Sequence, residues 1–224
     1  GDFSSTANAT KLSFKTAASE AAAEKMSLSS AGVLTVSSTI TADSKDVILG
    51  KSEGTNFTSS LLVGHATTGT LDAAQENTGI GIGTLDALTS GDDNTAVGFN
   101  AGTVVTTGIE NTFIGAYSGD ASTAGSNWNT GVGSFSLSGV TSGDRNSGFG
   151  RRALLTVSTG GNNTSVGYES GKLITGDSNL TLGYQAGDNI TSGDGNVIIG
   201  SINADSATGD KQLIVADGVD GSVA

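Results

Sequence analysis

A chain of 224 residues with 35 glycines, no proline, no cysteine, one histidine (His65) and a formal charge of −12 excludes several classes of protein at once. Without cysteine there is no disulfide framework and no cysteinyl metal or redox centre, and a single histidine leaves no multi-histidine site and makes a histidine-based triad improbable. Ten Lys plus Arg against 22 Asp plus Glu argue against nucleic acid or an anionic membrane as partner, because clustered cations hold both.

No apolar run approaches the ~18 residues that span a bilayer, and the N-terminus shows no signal-peptide succession, so the chain reads as soluble. Residues 1–45 read as an N-terminal β-rich segment with a strand at Lys11-Leu12-Ser13-Phe14. Within it, Ala17 to Met26 (Ala-Ala-Ser-Glu-Ala-Ala-Ala-Glu-Lys-Met) has high helix propensity and predicts a short helical connector of one or two turns. Residues 46–216 read as a repeat domain, and residues 217–224 as a C-terminal tail.

The repeat is a block Asn-Thr-x-apolar-Gly recurring about every 17 residues. Its asparagines are Asn77, Asn94, Asn111, Asn129, Asn146, Asn163, Asn179 and Asn196, and its closing glycines are Gly81, Gly98, Gly115, Gly133, Gly150, Gly167, Gly183 and Gly200. Degenerate copies flank them at Asp46–Gly50, Ser60–Gly64 and Gln212–Ala216. A second apolar position follows each asparagine (Leu88, Val105, Val140, Val157, Ile174, Ile190) except in the copy from Asn111, where Ser122 takes the slot. A further glycine precedes most asparagines: Gly91, Gly108, Gly143, Gly160, Gly176 and Gly193. Each unit therefore predicts a strand, a bend after the block glycine, a second short strand and a tight turn.

These residue types suit a coil that winds on itself. Thr and β-branched residues favour strands, Gly supplies positive φ or close backbone approach at corners, and identical asparagines stacked coil over coil can form a ladder. One unit buries too little apolar surface to offset the entropy of ordering its residues, so neighbouring coils must contribute. A third inward surface is expected from another chain. The fold class is thus mainly β, an elongated β-solenoid or β-roll of ~17-residue repeats.

The stretches Asn94-Thr-Ala-Val-Gly-Phe-Asn-Ala-Gly102 and Asn163-Thr-Ser-Val-Gly-Tyr-Glu-Ser-Gly171 resemble the glycine-rich NTAxGxxA repeats of bacteriophage tail fibres and spikes. The heads of trimeric autotransporter adhesins are similar, with a typically shorter repeat. Lys11–Phe14 followed by Glu24–Val33 also looks like a block of tail-fibre proteins. The resemblance implies a homotrimeric, intertwined β-roll that carries receptor attachment, located in the virion. The alternative it leaves is an adhesin head on the bacterial surface. Such fibres often end in a self-cleaving chaperone, and residues 217–224 are placed where one would begin.

Other motifs are repeat punctuation. Gly79-Ile-Gly-Ile-Gly83 lacks the strand–turn–helix setting of a dinucleotide fingerprint, and Gly50-Lys51-Ser52 lacks the earlier glycine of a phosphate loop. Asp92-Asp93 and Asp194-Gly195-Asn196 read as turns rather than calcium loops, and no cofactor or metal is expected. Candidate receptor-binding residues are the departures from the repeat: Trp128, the only Trp, and Arg145, Arg151 and Arg152, all the arginines of the chain. An exposed Trp can stack on a sugar face or fold over a chain–chain seam, and clustered guanidinium groups can grip anionic polysaccharide or pair with acidic turns. Phe99, Tyr168 and Tyr184 share one slot after the block glycine and predict a stacked row.

The expected role is structural and adhesive, with itself, other virion tail proteins and a host surface receptor as partners, and not enzymatic. A glycan-cleaving spike would need a paired carboxylate that no spacing picks out. An ice-binding threonine ladder is a further outsider.

Overall fold

The computed structural model describes residues 12–16, 23–28, 34–36, 50–54, 57–63, 72–122 and 125–216. The chain divides into two compact units, Gly1–Ile48 and Leu49–Ala224. In the first, strands β1 (Leu12–Thr16), β2 (Ala23–Leu28) and β3 (Leu34–Val36) form an antiparallel sheet in chain order. Cross-strand register aligns Leu12, Leu28 and Leu34 in one row and Phe14, Met26 and Val36 in the next. The expected helical connector is therefore corrected over 23–26, which are strand; residues 17–22 lie outside the described residues. Helix propensity in Ala-Glu-Lys-Met is a weak preference, and cross-strand pairing on both sides of β2 overrides it.

The second unit opens with an antiparallel pair, β4 (Gly50–Gly54) and β5 (Phe57–Val63), with the two-residue β6 (Ala74–Gln75) also on β5. From β5 onward the sheet is parallel and each added strand is one coil later: β7 (Thr78–Ile80), β8 (Thr95–Val97), β9 (Thr112–Ile114), β10 (Thr130–Val132), β11 (Ser147–Phe149), β12 (Thr164–Val166), β13 (Leu180–Leu182), β14 (Val197–Ile199) and β15 (Leu213–Val215). Thr78 pairs with Thr95, Ala96 with Phe113, and so on without slippage. This is the parallel β-solenoid that the repeat spacing predicts. Residues 217–224 lie outside the described residues.

The asparagines set the register. From Asn94 to Asn179 each Nδ2 donates to the Oδ1 of the asparagine one coil earlier and to a turn carbonyl before the next asparagine, as Asn94 does to Asn77 (3.0 Å) and to Gly108 (2.8 Å). The same Oδ1 also receives the backbone N–H of the next asparagine, Asn94 to Asn77 at 3.0 Å. The asparagine-to-asparagine bond repeats through Asn111, Asn129, Asn146, Asn163, Asn179 and Asn196, all buried. From Asn77 to Asn179 every buried amide thus has at least two acceptors, and every ladder oxygen from Asn77 to Asn196 has two donors, which is what an amide needs away from water. Gln212 takes the next place, donating from Nε2 to Asn196 Oδ1 while its own Oε1 accepts the Ser206 N–H.

Among the described residues, each coil from β8 onward forms one strand. The predicted second strand is absent because the residues leading to it run through left-handed backbone. From Glu76 to Gly187 four positions per coil have positive φ: the residue before the asparagine, the block glycine, and the positions two and four after it. Tyr117 (φ 59°), Leu137 (φ 53°) and Arg152 (φ 59°) adopt this geometry without being glycine. The chain curls rather than extends, and that curl closes the coil on its own interior.

The same chain supplies three inward sides to the coil. The middle residue of each strand is one inward side and the post-glycine turn (Leu85, Leu137, Leu154) a second. The second apolar position (Leu88, Val105, Val140, Val157, Ile174, Ile190) is the third, fully buried. Ser122, in the longer coil, is buried too, and its hydroxyl donates to Ser126 Oγ at 2.9 Å.

Two substitutions test the ladder and the corner. Asn146→Ala leaves the backbone N–H and Nδ2 of Asn163 without their shared acceptor, and urea unfolding should show a loss of about 3 kcal/mol, at ~1–3 per stranded donor. In Gly98→Ala the new Cβ sits at φ 138° and 2.7 Å from the Gly115 carbonyl carbon. The expected loss is ~2 kcal/mol or more.

Candidate functional site

Stacking in register turns every repeat position into a column running along the solenoid. Three columns on or beside the strand face carry the surface chemistry. The column just before the asparagines reads Glu76, Asp93, Glu110, Trp128, Arg145, Asn162, Ser178, Gly195, Lys211, all at positive φ. Trp128 and Arg145 are therefore neighbours on successive coils, and the Arg145 guanidinium carbon lies 4.6 Å from the Trp128 ring centroid. One indole face is occupied by a cation within the same chain, while Trp128 stays exposed. At the acidic end of the column a hydrogen bond with Asp93, reinforced by its charge, raises the Glu76 carboxyl above its ordinary value.

The other two arginines do not join Arg145. Arg151 lies over the Tyr168 ring at 5.7 Å and its Nη1 donates to the Tyr168 hydroxyl at 3.3 Å. Arg152, one residue on and left-handed, turns to Glu169 with Nη1 to Oε1 at 3.0 Å. Glu169 also accepts from Gln185 Nε2 (3.1 Å) and pairs with Lys172 Nζ (3.4 Å). The three arginines are thus dispersed to an indole, a phenol and a carboxylate rather than gathered around one anion. Asp144 accepts the Asn127 backbone N–H at 2.8 Å. Asp92, Asp177, Asp194 and Asp210 make the same bond to the preceding coil, which accounts for the acidic turns.

The aromatic row at the opposite end of the strands is longer than the sequence slot suggests. Phe99 meets Tyr117 edge-on at 5.3 Å, Tyr117 stacks on Phe135 at 4.9 Å, and Tyr168 stacks on Tyr184 at 5.5 Å. Tyr117 and Phe135 were not read as members because they stand two residues after the glycine, behind Ala116 and Ser134. That small-then-aromatic order in both copies is the signal that finds them. Stacked rings cover one another's faces and leave mainly edges to solvent, which suits packing better than a sugar platform.

The third column is the strand residue next to the block glycine. The structure turns it outward: Ile80, Ile114, Phe149, Val166, Leu182 and Val215 are each more than a third exposed. It was expected to help fill the interior, and that is corrected. Inside, the adjacent position is often smaller, as Gly79, Ala96, Gly131, Gly148 and Ser165 show. The coil is narrow at Gly148, where a Cβ would lie 2.7 Å from Ser136 Oγ, while at the same position of β9 Phe113 is buried against Gly119 and Gly131.

A shallow cleft of about 230 Å³ is lined by Gln185, Asp188, Ser201, Ile202 and Asn203, with burial raising the Asp188 carboxyl. It falls below the ~300 Å³ at which small-molecule pockets begin. Among the described residues no cluster of His, Cys, Asp and Glu has the geometry to hold a metal ion. No protein-family model, curated protein or solved structure matches the chain.

Glu169 gives the site a pH signature. Hydrogen bonds from Gln185 and then Arg152 hold its carboxyl down to about 2, against an ordinary value of 4.5. Its contribution is complete above the ordinary value and is lost as pH falls from there towards about 2. Glu169→Gln should therefore lower the melting temperature at pH 7, and the difference from the parent chain should close as melting is repeated down to pH 2.

Proposed function

We propose that this chain is a structural and adhesive shaft: a fragment of a bacteriophage tail fibre or spike that works as a homotrimer and attaches to the host surface by many weak contacts. The observation that supports this best is the in-register asparagine ladder. It makes the Asn-Thr-x-apolar-Gly blocks, on which the resemblance rests, the skeleton of a stiff stack that presents the same surface positions at each coil, ~4.8 Å apart. Rigid repetition is what multivalent attachment needs, since linked contacts on a stiff scaffold act at high effective concentration. The long exposed apolar column favours a multi-chain assembly over a lone chain.

Within this reading the receptor contact falls to Trp128 and Arg145, which stand exposed where the acidic column ends. Arg151 and Arg152 are committed to Tyr168 and Glu169. The test is adsorption of the purified assembly to a panel of bacterial cells and their extracted surface polysaccharides. The double substitution Trp128→Ala, Arg145→Ala should reduce binding tenfold or more at unchanged assembly mass. Unchanged binding to a polysaccharide that the parent chain retains would remove this pair from the receptor contact, and no binding to any member of the panel would count against adhesion.

A further inference from the structure

We propose that the outward face of the strand stack is the seam at which further copies of this chain dock, parallel and with like coils at like heights. The proposal rests on the homotrimeric reading and assigns the surface that carries it.

The first argument is the distribution of bulk across each strand. Where the inward residue is Gly131 or Gly148, the outward neighbour is Val132 or Phe149. A sheet with one wet face shows apolar residues inward and polar ones outward, whereas parallel sheets are found almost entirely with both faces covered. Here the coil interior covers one face, and in six of the nine strands the residue beside the block glycine, on the uncovered face, is larger than its inward neighbour.

The second argument is area. Along β7 to β15, ten large apolar side chains at the outward strand position and the position after the glycine are each 37–68% exposed. Together they present roughly 800 Å², the share that one partner gives to a standard stable interface, and more than isolated surface residues require.

The third argument is charge. In a chain at −12, the outward strand positions of β7 to β15 hold no acidic residue, and Arg151 is the one charged residue at the position after the glycine from Ile82 to Ser201. The nearest acidic side chains, Glu76, Asp93 and Glu110, stand in the column before the asparagines at one edge of the face, so two copies can bring its apolar residues together without burying a carboxylate among them. A ridge of this period, repeated over nine strands, is matched along its whole length by the same ridge on another copy. For one surface to serve three copies the symmetry axis must run along the stack, which sets the copies parallel.

The chain has no cysteine, so single cysteines report the seam directly. Val97→Cys and Leu182→Cys lie towards opposite ends of the face, and Ser142→Cys lies in an exposed turn off it. With a short bis-maleimide, the first two should give cross-linked chains and Ser142→Cys none. An antiparallel arrangement would link neither Val97→Cys nor Leu182→Cys to itself, and that result overturns the proposal. Val166→Glu should reduce the mass by light scattering threefold, from three chains of 22.0 kDa to one, with the β circular dichroism retained. If the parent chain has the mass of one copy, both the trimer and the seam fall. If it has the mass of three while Val166→Glu stays assembled, or Ser142→Cys links and the other two do not, the seam assignment alone falls.

Discussion

The solenoid depends on a buried column of primary amides. An asparagine placed away from water costs free energy unless both its hydrogens and its oxygen are paired. Here the oxygen and one hydrogen are paired by the same residue in the coil above or below, and the second hydrogen by a turn carbonyl. That condition dictates much else. The carbonyl that receives the second Nδ2 hydrogen, such as that of Gly108 or Gly160, must come close, and the turns that bring it there carry glycine. The condition also fixes where length can vary. The longer coil from Asn111 keeps the ladder by using the Ser126 carbonyl for Asn111 and the Ser126 hydroxyl for Asn129. The extra residue is absorbed in the turn and not in the strand.

The period, the stacking asparagines and the corner glycines were legible because each repeats and each has one plausible chemical use. What was not legible is direction. In Asn-Thr-Ala-Val-Gly the valine reads as core, yet Ala96 points in and Val97 out. An asparagine that must face inward fixes strand alternation, so the second residue after it also faces inward and the third does not. The asparagine, not the hydrophobic residue, carries the phase. The missing second strand has a related cause, since left-handed backbone at Tyr117, Leu137 or Arg152 is not announced by residue type. The helix expected near Ala23 failed for the reason isolated propensity usually does: both sides of the segment had pairing partners.

The candidate site was legible by position and not by contact. Trp128 and Arg145 were singled out as departures from the repeat, but only stacking shows that they occupy one column and cover one another. Arg145, Arg151 and Arg152 are close in sequence, and backbone geometry still sends them apart. Arg152 is left-handed and Arg151 is not, which turns two adjacent guanidinium groups to different partners. In a solenoid, neighbours along the chain share less than neighbours one coil away. Tyr168 belongs with Arg151 and Tyr184 more than with Glu169.

This geometry also separates charge from apolar surface. The turn aspartates are held by backbone N–H groups of the preceding coil, which keeps them at the corner where the chain reverses towards the next asparagine. Hydrophobic side chains beside the block glycine lie on the strand face, most of them over a small inward residue such as Gly79, Gly131 or Gly148. A single chain then carries an acidic side that disfavours random association and an uncharged strand face that does not. Net negative charge opposes approach in most orientations and least in the one where two strand faces meet. On the docking proposed above, the residues that look dispensable to the interior, the third of each strand, select how copies meet. The asparagines, silent at the surface, hold those residues in line.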